Sequence, residues 1–204
     1  CAARTAGSVS TLDPRTSAPE LRAFLSAARR AARVPLMDLL VLGREIQGTG
    51  RVVGTTRIVS LESDPVERFE KKGRQSVRRA IRAGGEVERT SDVSRFLDLY
   101  RPVALARGVE YPAEIIRRLA ADGCCDCYDV LLEGRAVSSL LVLRGPQHWM
   151  YWAAAQDDRG RKIEAGYLAL ATMLEDAFKA SAGFVNLGAS RSGGQDLDGV
   201  DRIK

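Results

Sequence analysis

The segment from residue 147 to residue 188 constrains the fold of this chain most, because four elements follow one another in it without interruption. The run QHWMYWAAAQ is aromatic and apolar, as a buried strand is, and it ends at the carboxylate pair Asp157 and Asp158. Gly183 and the run FVNLG close the segment and predict the next strand. Between them, apolar residues recur in steps of mostly three and four, which predicts a helix with one face on a sheet: Ile163, Tyr167, Leu170, Leu174, Ala177 and Phe178.

A charged loop, DDRGRKIEAG, is expected between the first strand and the helix. It carries Arg159, Gly160, Arg161 and Lys162 just before the helix. A helix N-terminus presents free backbone N–H groups and the positive end of the helix dipole, so these residues indicate an anion site. A solvated basic turn would have the same composition, and the loop alone favours that simpler interpretation.

Length and composition set broad limits. The 204 residues suffice for one domain of good size or two small ones. No apolar run is long enough to span a membrane, and the first residues lack the apolar core of a signal peptide. The net charge of +5 is compatible with a phosphate-bearing ligand but does not require nucleic acid. Since the chain starts with Cys1 and ends at Lys204 without a closing element, we expect a fragment of a longer protein.

The cysteines and the single histidine restrict the chemistry further. Cys124, Cys125 and Cys127 lie too close together for a regular disulfide framework, so a reducing cytoplasm is the expected compartment. The motif CCDC has no second cluster to complete a tetrahedral set, so we expect no metal and interpret it as a loop entering a strand. His148 lies in a predicted strand and is interpreted as structural.

The first third of the chain predicts part of an α/β lobe. Residues 1–18 have loop composition, PELRAFLSAARRAAR predicts a helix, and MDLLVL and RVVGTTRIVSL predict strands. Ser63, Asp64 and Pro65 predict the start of a second helix that runs to Ala83 before two glycines. The apolar residues expected on its buried face are Val66, Phe69, Val77, Ala80 and Ile81.

That second helix also carries a row of basic residues. Repulsion among so many cations costs helix stability, which favours a bound anion. Arginine-rich surface helices also occur without a ligand, so both interpretations stay open. The row consists of Lys71, Arg74, Arg78 and Arg82, with Lys72 and Arg79 beside it.

The remaining elements define the fold class. GEVERT predicts a strand, a helix capped by Ser91 follows, and AEIIRRLAADG predicts a short helix. Three antiparallel strands come next, CYDVLLE, RAVSSLLVLRG and QHWMYWAAAQ, with Glu133 and Gly134 as a tight turn. This order predicts a mixed α/β arrangement rather than a doubly wound one. The chain has no P-loop and no GxGxxG motif, which disfavours ATP and dinucleotide binding.

The order of these elements resembles the acyltransferase fold called GNAT, and more closely its FemAB-like branch, which includes BioF2-like acetyltransferase domains. The resemblance rests on RRAIRAGGEVERTSD, FLDLYRPVALARGVEYP, RAVSSLLVL, MYWAAAQDDRGRK and FVNLGASRSGGQDLDGVDRIK. It implies a central mixed sheet flanked by helices. It also implies a partial N-terminal lobe at residues 1–62, a basic linking helix and strand at 63–90 and a C-terminal lobe at 91–204.

Two features depart from the family pattern. Gly160 and Gly166 do not stand in the register of the usual acetyl-CoA loop, so the donor stays open between acyl-CoA and aminoacyl-tRNA. There is also no room for the helical arm of peptidoglycan-building Fem ligases. The resemblance therefore points to smaller relatives associated with envelope or exopolysaccharide metabolism.

The resemblance implies acyl transfer to an amine of a small molecule, peptide or glycan, without a metal, and with tRNA as a partner if tRNA carries the acyl group. Lys204 matches the family's functional lysine, and Tyr151 or Asp158 would act as base or proton relay. The donor would be bound by Arg159, Gly160, Arg161, Lys162 and Gly166, and the acceptor by Ser190, Arg191, Arg74 and Arg78.

Two further functions stay open. The chain could be a non-catalytic, degenerate GNAT module that binds a nucleotide or polyanion through the basic row of residues 71–82. It could also be an RNA-binding protein, which its aromatic content of 6% disfavours. The sequence leaves the oligomeric state undetermined.

Overall fold

The computed structural model describes residues 55–108, 111–145 and 148–190. Of these, Arg57–Ser190 fall within one compact unit. The elements predicted before residue 55 lie outside the described residues, as do Arg191 and Lys204. The division into lobes stays a prediction.

Six strands and five helices make up the described part of the chain. The strands are β1 Thr55–Ser60, β2 Glu86–Thr90, β3 Cys125–Leu132, β4 Arg135–Arg144, β5 His148–Gln156 and β6 Phe184–Ser190. The helices are α1 Lys71–Arg82, α2 Ser94–Arg107, α3 Ala113–Ala121, α4 Asp158–Ile163 and α5 Ala165–Lys179.

The six strands form one sheet in the order β1–β6–β5–β4–β3–β2. The strands from β2 to β5 are antiparallel neighbours, whereas β5 and β6 pair in parallel. The predicted meander of three strands is therefore confirmed. So is its turn, because Glu133 and Gly134 have φ angles of 54° and 75°, as the two central residues of a type I′ hairpin require. The sheet confirms the mixed α/β class.

Helices cover both faces of the sheet. On one face, α1 and α5 pack against a core that contains Tyr128, Val142 and Trp149. On the other face, α2 and α3 pack against Cys125, Cys127 and further side chains that alternate with the first set along the strands. The alternation along β3 explains why this strand is buried on both sides.

Helix α1 begins later than predicted. Asp64 caps a turn rather than a helix, since its carboxylate accepts the backbone N–H of Val66 at 2.8 Å. Glu70 is in an extended conformation, with φ −56° and ψ 158°, so the helix starts only at Lys71. The predicted burial of Ile81 is also wrong, because this side chain is 55% exposed. The inward face is formed by Gly73, Ser76 and Ala80, whose small size allows close packing on α5.

The predicted cap of α2 at Ser91 is likewise wrong. The carboxylate of Asp92 accepts both the backbone N–H and the hydroxyl of Ser94, each at 2.9 Å. The helix therefore begins at Ser94.

The expected charged loop after β5 contains a helix, α4. Asp157 initiates it by accepting the backbone N–H of Gly160 at 2.8 Å. Glu164, with φ 59°, separates α4 from α5. Phe178, expected on the buried stripe of α5, is 38% exposed, whereas burial on α5 is broader than one stripe because the helix lies between α1 and the sheet. Within the described ranges, no helix is long and apolar enough to cross a membrane.

Candidate functional site

Strands β5 and β6 pair over only part of their length. Their parallel register joins His148 to Phe184, Trp149 to Val185 and Met150 to Asn186, although both strands continue beyond these residues. The two strands therefore diverge in the middle of the sheet. Among the described residues, the β5–β6 register ends at Met150 and Asn186.

A β-bulge in β5 lies directly after the last of these pairs. Leu141 of β4 faces Ala153, whereas the next residue, Val142, faces Tyr151. Trp152 is thus the extra residue, and it bends β5 away from the regular ladder. The bulge and the divergence of β6 occur at the same level of the sheet.

Two consecutive aromatic side chains at the bulge lie on opposite faces of the sheet. Tyr151 packs against the core under α1 and α5. Trp152 lies on the other face, where its ring centroid is 6.3 Å from that of Phe96 and 6.0 Å from that of Tyr100, both on α2. Helix α2 therefore contacts the bulge through an aromatic cluster.

Gly188 stands on the β6 side of the gap. Its φ of 89° lies in the region that favours glycine, and its N–H donates to the Asn186 side-chain carbonyl at 2.8 Å. A β-carbon at this position would be 3.6 Å from the Tyr151 carbonyl oxygen. Glycine therefore keeps this side of the gap free of side-chain atoms.

Tyr151, a predicted catalytic residue, lies where the strands part. Burial raises its pKa to about 12, against the opposing charge of Arg107. The phenol is therefore protonated at neutral pH. Such a group can donate a proton, but it is a poor base.

The backbone of α4 is fixed against β4. The N–H of Asp157 donates to the carbonyl oxygen of Val137 at 3.0 Å, and the Asp157 carboxylate accepts from Gly160. A β-carbon at Gly160 would lie 2.2 Å from the same Val137 oxygen. Gly160 thus allows α4 to dock, and its N–H is already bonded within the protein.

The cations of α4 differ in how far they are neutralised. Arg159 pairs with Glu133 at 2.7 Å, and Arg161 pairs with Asp158 and donates to the Gln156 carbonyl oxygen at 2.9 Å. Lys162 is exposed and forms no ion pair with an acidic side chain of the described residues. Lys162 is therefore the α4 cation best able to meet a ligand anion.

Asp158, the other predicted base, is exposed at the start of α4. A hydrogen bond from Arg161, together with the charge of that residue, lowers its pKa. A carboxylate with a lowered pKa is a weak base.

The first turn of α5 borders a buried acceptor that lacks a partner. The Oε1 atom of Gln156 has no hydrogen-bond donor among the described residues. A β-carbon at Gly166 would lie 3.7 Å from it. A buried carbonyl oxygen without a donor is costly, so this position suits an N–H group of a ligand.

The remaining predicted site residues lie apart from the gap or outside the described residues. Arg74 and Arg78 are exposed on α1, and the Arg74 guanidinium donates to the Phe69 carbonyl oxygen. The backbone of Ser190 ends β6. In the described part of the chain, no group of three or more His, Cys, Asp or Glu side chains is placed to hold a metal ion.

Sequence reasoning missed Trp152, Asn186 and Gly188. A local signal for the bulge at Trp152 is missing, because the run from Trp149 to Ala155 is aromatic or apolar throughout and has no alternation to interrupt. The positive φ of Gly188 has no such signal, because glycine alone does not reveal its conformation.

A mixed sheet with helices on both faces, whose parallel strand pair diverges beside a helix N-terminus, is the architecture of GNAT-type acyltransferases. The chain belongs to that family, since the family model described as "Acetyltransferase (GNAT) domain" matches residues 71–195, more than half of its length. The resemblance seen in the sequence is confirmed. No curated protein sequence matches the chain significantly.

Several solved structures share the fold. FemX superposes with a TM-score of 0.65 at 14% identity, covering 92% of this chain and 71% of FemX. The C-terminal domain of a putative lysylphosphatidylglycerol synthetase from Agrobacterium fabrum gives 0.57 at 13% identity, with 93% and 66% covered. L-PGS from Bacillus licheniformis gives 0.58 at 14% identity, with 90% and 63% covered. The chain thus spans about two thirds of the length of these proteins, and the likeness establishes the fold.

Proposed function

We propose that this chain is an N-acyltransferase that moves an acyl or aminoacyl group from acyl-CoA or aminoacyl-tRNA to an amine. The observation that carries the proposal is the divergence of β5 and β6 at the Trp152 bulge. It opens a gap lined by backbone groups next to the N-terminus of α5, where α4 supplies Lys162.

The gap suits the chemistry of acyl transfer. The acceptor amine attacks the acyl carbon and forms a carbon–nitrogen bond, and the bond to the donor's sulfur or oxygen then breaks. Negative charge develops on the acyl oxygen, and backbone N–H groups at the bulge could stabilise it. The protonated phenol of Tyr151 could supply the proton that the leaving group needs. The amine loses its own proton to solvent, which also returns a proton to Tyr151.

The donor is proposed to lie along α4 and the first turn of α5. Its phosphates would meet Lys162, and in part Arg159 and Arg161, near the positive end of the α5 dipole. Gln156 would accept an amide N–H of the donor, such as those of a pantetheine arm. Gly166 would let the donor approach closely, because it has no side chain.

The acceptor is proposed to be an amine of a peptide, glycan or small molecule, in cell-envelope or exopolysaccharide metabolism. Support comes from the fold shared with a lysylphosphatidylglycerol synthetase, whose name states an envelope lipid product. Arg74, Arg78, Ser190, Arg191 and Lys204 remain candidates for acceptor or charge binding. We also propose a cytoplasmic location, since Cys124, Cys125 and Cys127 are free thiols.

Donor binding tests the proposal. Thermal unfolding of the full chain would be followed with coenzyme A, acetyl-CoA, longer acyl-CoAs and aminoacyl-tRNA. A ligand present at a hundredfold excess over its Kd adds about 2.7 kcal/mol of stability and raises the Tm. Lys162→Gln should reduce the shift, whereas Arg135→Gln, an exposed change of equal charge at the start of β4, should not. A Tm unchanged by every donor would favour a non-catalytic GNAT module.

A further inference from the structure

We propose that the indole of Trp152 limits the size of the acyl group that this chain transfers. Small acyl groups are accepted, and longer chains are rejected. The inference rests on the proposed function, because it names the kind of acyl group that the same gap admits. It applies equally to acyl-CoA and to aminoacyl-tRNA, since only the part of the donor beyond the reacting carbonyl meets this side chain.

The proposed donor-phosphate site and Trp152 lie on opposite faces of the sheet. Helix α4 is on the face covered by α1 and α5, because Ile163 packs against the core there. Trp152 packs into the core on the other face, beneath α2. A donor whose phosphates lie at α4 reaches the bulge through the gap between β5 and β6. Its acyl group, at the far end of the donor, then emerges on the face of Trp152.

Trp152 is the member of its aromatic cluster that borders the gap. Phe96 and Tyr100 belong to α2, whereas Trp152 is the extra residue of the β5 bulge. The acyl oxygen is proposed to bind backbone N–H groups of this bulge, and the rest of the acyl group is attached to the same carbonyl carbon. On the β6 side of the gap, Gly188 contributes no side chain. The indole therefore determines how much space an acyl group finds.

The indole is held in place by buried side chains. Its ring centroid is 6.3 Å from that of Phe96, which is 0% exposed and stacks on Tyr100 at 5.2 Å. The same core contains Cys127 and Leu141, both also 0% exposed. Protein interiors are close-packed and resist the insertion of further methylene groups. The ring therefore cannot move into this core to make room for a longer acyl chain.

Part of the indole nevertheless remains accessible to a ligand. Trp152 is half-buried, in contrast to Phe96. An apolar wall separates substrates by size, since one methylene group changes the preference roughly 10- to 200-fold. We therefore expect acetyl and glycyl groups to fit beside the ring, and hexanoyl and phenylalanyl groups to collide with it.

Donor binding to the full chain, measured by isothermal titration calorimetry, tests this inference without a known acceptor. The probes are acetyl-CoA and hexanoyl-CoA and, for the tRNA arm, amide-linked analogues of glycyl-tRNA and phenylalanyl-tRNA. The unaltered chain should bind the larger member of the pair that it recognises roughly tenfold or more weakly than the smaller member. Trp152→Ala should bring the two Kd values together or reverse their order. Because the readout is a ratio of two Kd values for one protein, a smaller folded fraction affects both probes equally.

Two further variants separate size selection from a general loss of structure. Trp152→Phe keeps a ring against Phe96 and should give an intermediate ratio, even if the alanine variant does not fold. Trp149→Phe is the matched control, since it makes the same replacement on the same strand but in the other core, and it should leave the ratio within about twofold of that of the unaltered chain.

The outcomes distinguish this inference from the proposed function. The inference is overturned, with donor binding still supporting an acyltransferase, if the unaltered chain binds small and large donors equally. It is also overturned if both Trp152 variants leave the ratio unchanged, as they would if the indole contacted only the acceptor. If neither the coenzyme A probes nor the tRNA probes bind, the proposed function fails and the inference fails with it.

Discussion

The carbonyl oxygen of Val137 lies 2.2 Å from the position that a β-carbon on residue 160 would occupy. The backbone sets the positions of both residues, because Val137 lies at an irregularity in β4 and Gly160 lies in α4. A side chain at residue 160 would therefore push α4 away from the sheet.

Gly160→Ala should destabilise the protein by about 1–3 kcal/mol and displace the proposed donor site. Urea unfolding measures the first effect, and the Tm shift with donor measures the second. Gly166→Ala is the control for the stability measurement alone, because a β-carbon there meets Gln156 Oε1 at 3.7 Å, an ordinary contact. Equal stability of the two variants would show that α4 does not need the close approach at Gly160.

Tyr151→Phe should lower kcat roughly a hundredfold while leaving the fold intact, if the phenol donates a proton to the leaving group. The donor KM should change little, because the ring remains in place. Steady-state kinetics with the donor identified by thermal shift would check this. Unchanged kcat would remove Tyr151 from the chemistry.

The same variant tests the raised pKa of Tyr151. The folded-state pKa of about 12 lies above the ordinary value of 10.0. The stability that the neutral phenol contributes is therefore present below pH 10 and is lost as the pH rises from about 10 to about 12. Unfolding free energies of Tyr151→Phe should fall less over that interval than those of the unaltered chain. If the unfolding free energies of the two proteins changed equally with pH, the raised pKa of Tyr151 would be contradicted.

Trp152→Ala should lower kcat by more than its loss of stability explains, because the indole holds the bulge against α2. Trp152→Phe should retain most of the activity, since a ring can still contact Phe96 and Tyr100. Ile116→Ala serves as control: it removes a fully buried side chain of α3 from the same core and should cost about 2–5 kcal/mol, and Ile116 takes no part in the pairing that defines the bulge. If both alanine variants lose kcat in proportion to stability, Trp152 has only a structural role.

Asp129→Asn should raise stability at pH 7. The carboxylate is 0% exposed, and burial raises its pKa above 3.8, although Ser139 and Arg95 oppose the shift. Its ionised form therefore costs stability at neutral pH, and that cost disappears as the pH falls through the raised pKa. An amide can still accept from Ser139, and Arg95 keeps Glu88 as a partner at 2.7 Å. Chemical unfolding at pH 7 and pH 4 would show the advantage shrinking on acidification, and a destabilised variant at pH 7 would contradict it.

Sequence patterns predicted the strands of the sheet better than they predicted where the helices begin and which helix residues are buried. Short apolar runs and turn residues located β3, β4 and the Glu133–Gly134 hairpin, because each signal is local. Helix α1 was predicted too long, since the cap residue Asp64 serves a turn equally well. Gly73 and Ser76 are buried in place of Ile81 because of where α5 packs on α1. The sequence of α1 alone does not contain this information.

The candidate site was only partly accessible from sequence for the same reason. The basic loop and Tyr151 were found because residue type alone indicates their chemistry. The divergence of β5 and β6 arises from pairing between segments about 35 residues apart, and the Trp152 bulge is defined only by the register with β4. Both are tertiary properties.

Transfer of the acyl group itself is the most direct test of the proposed function. The full chain would be incubated with acetyl-CoA labelled in the acetyl group and, in parallel, with tRNA charged with a labelled amino acid, together with a panel of peptide, glycan and small-molecule amines. The account predicts label in an amide product from one donor, with the yield strongly reduced in Tyr151→Phe and Trp152→Ala. Label that stays on a demonstrably bound donor with every amine, or product formed equally by both variants, would contradict it.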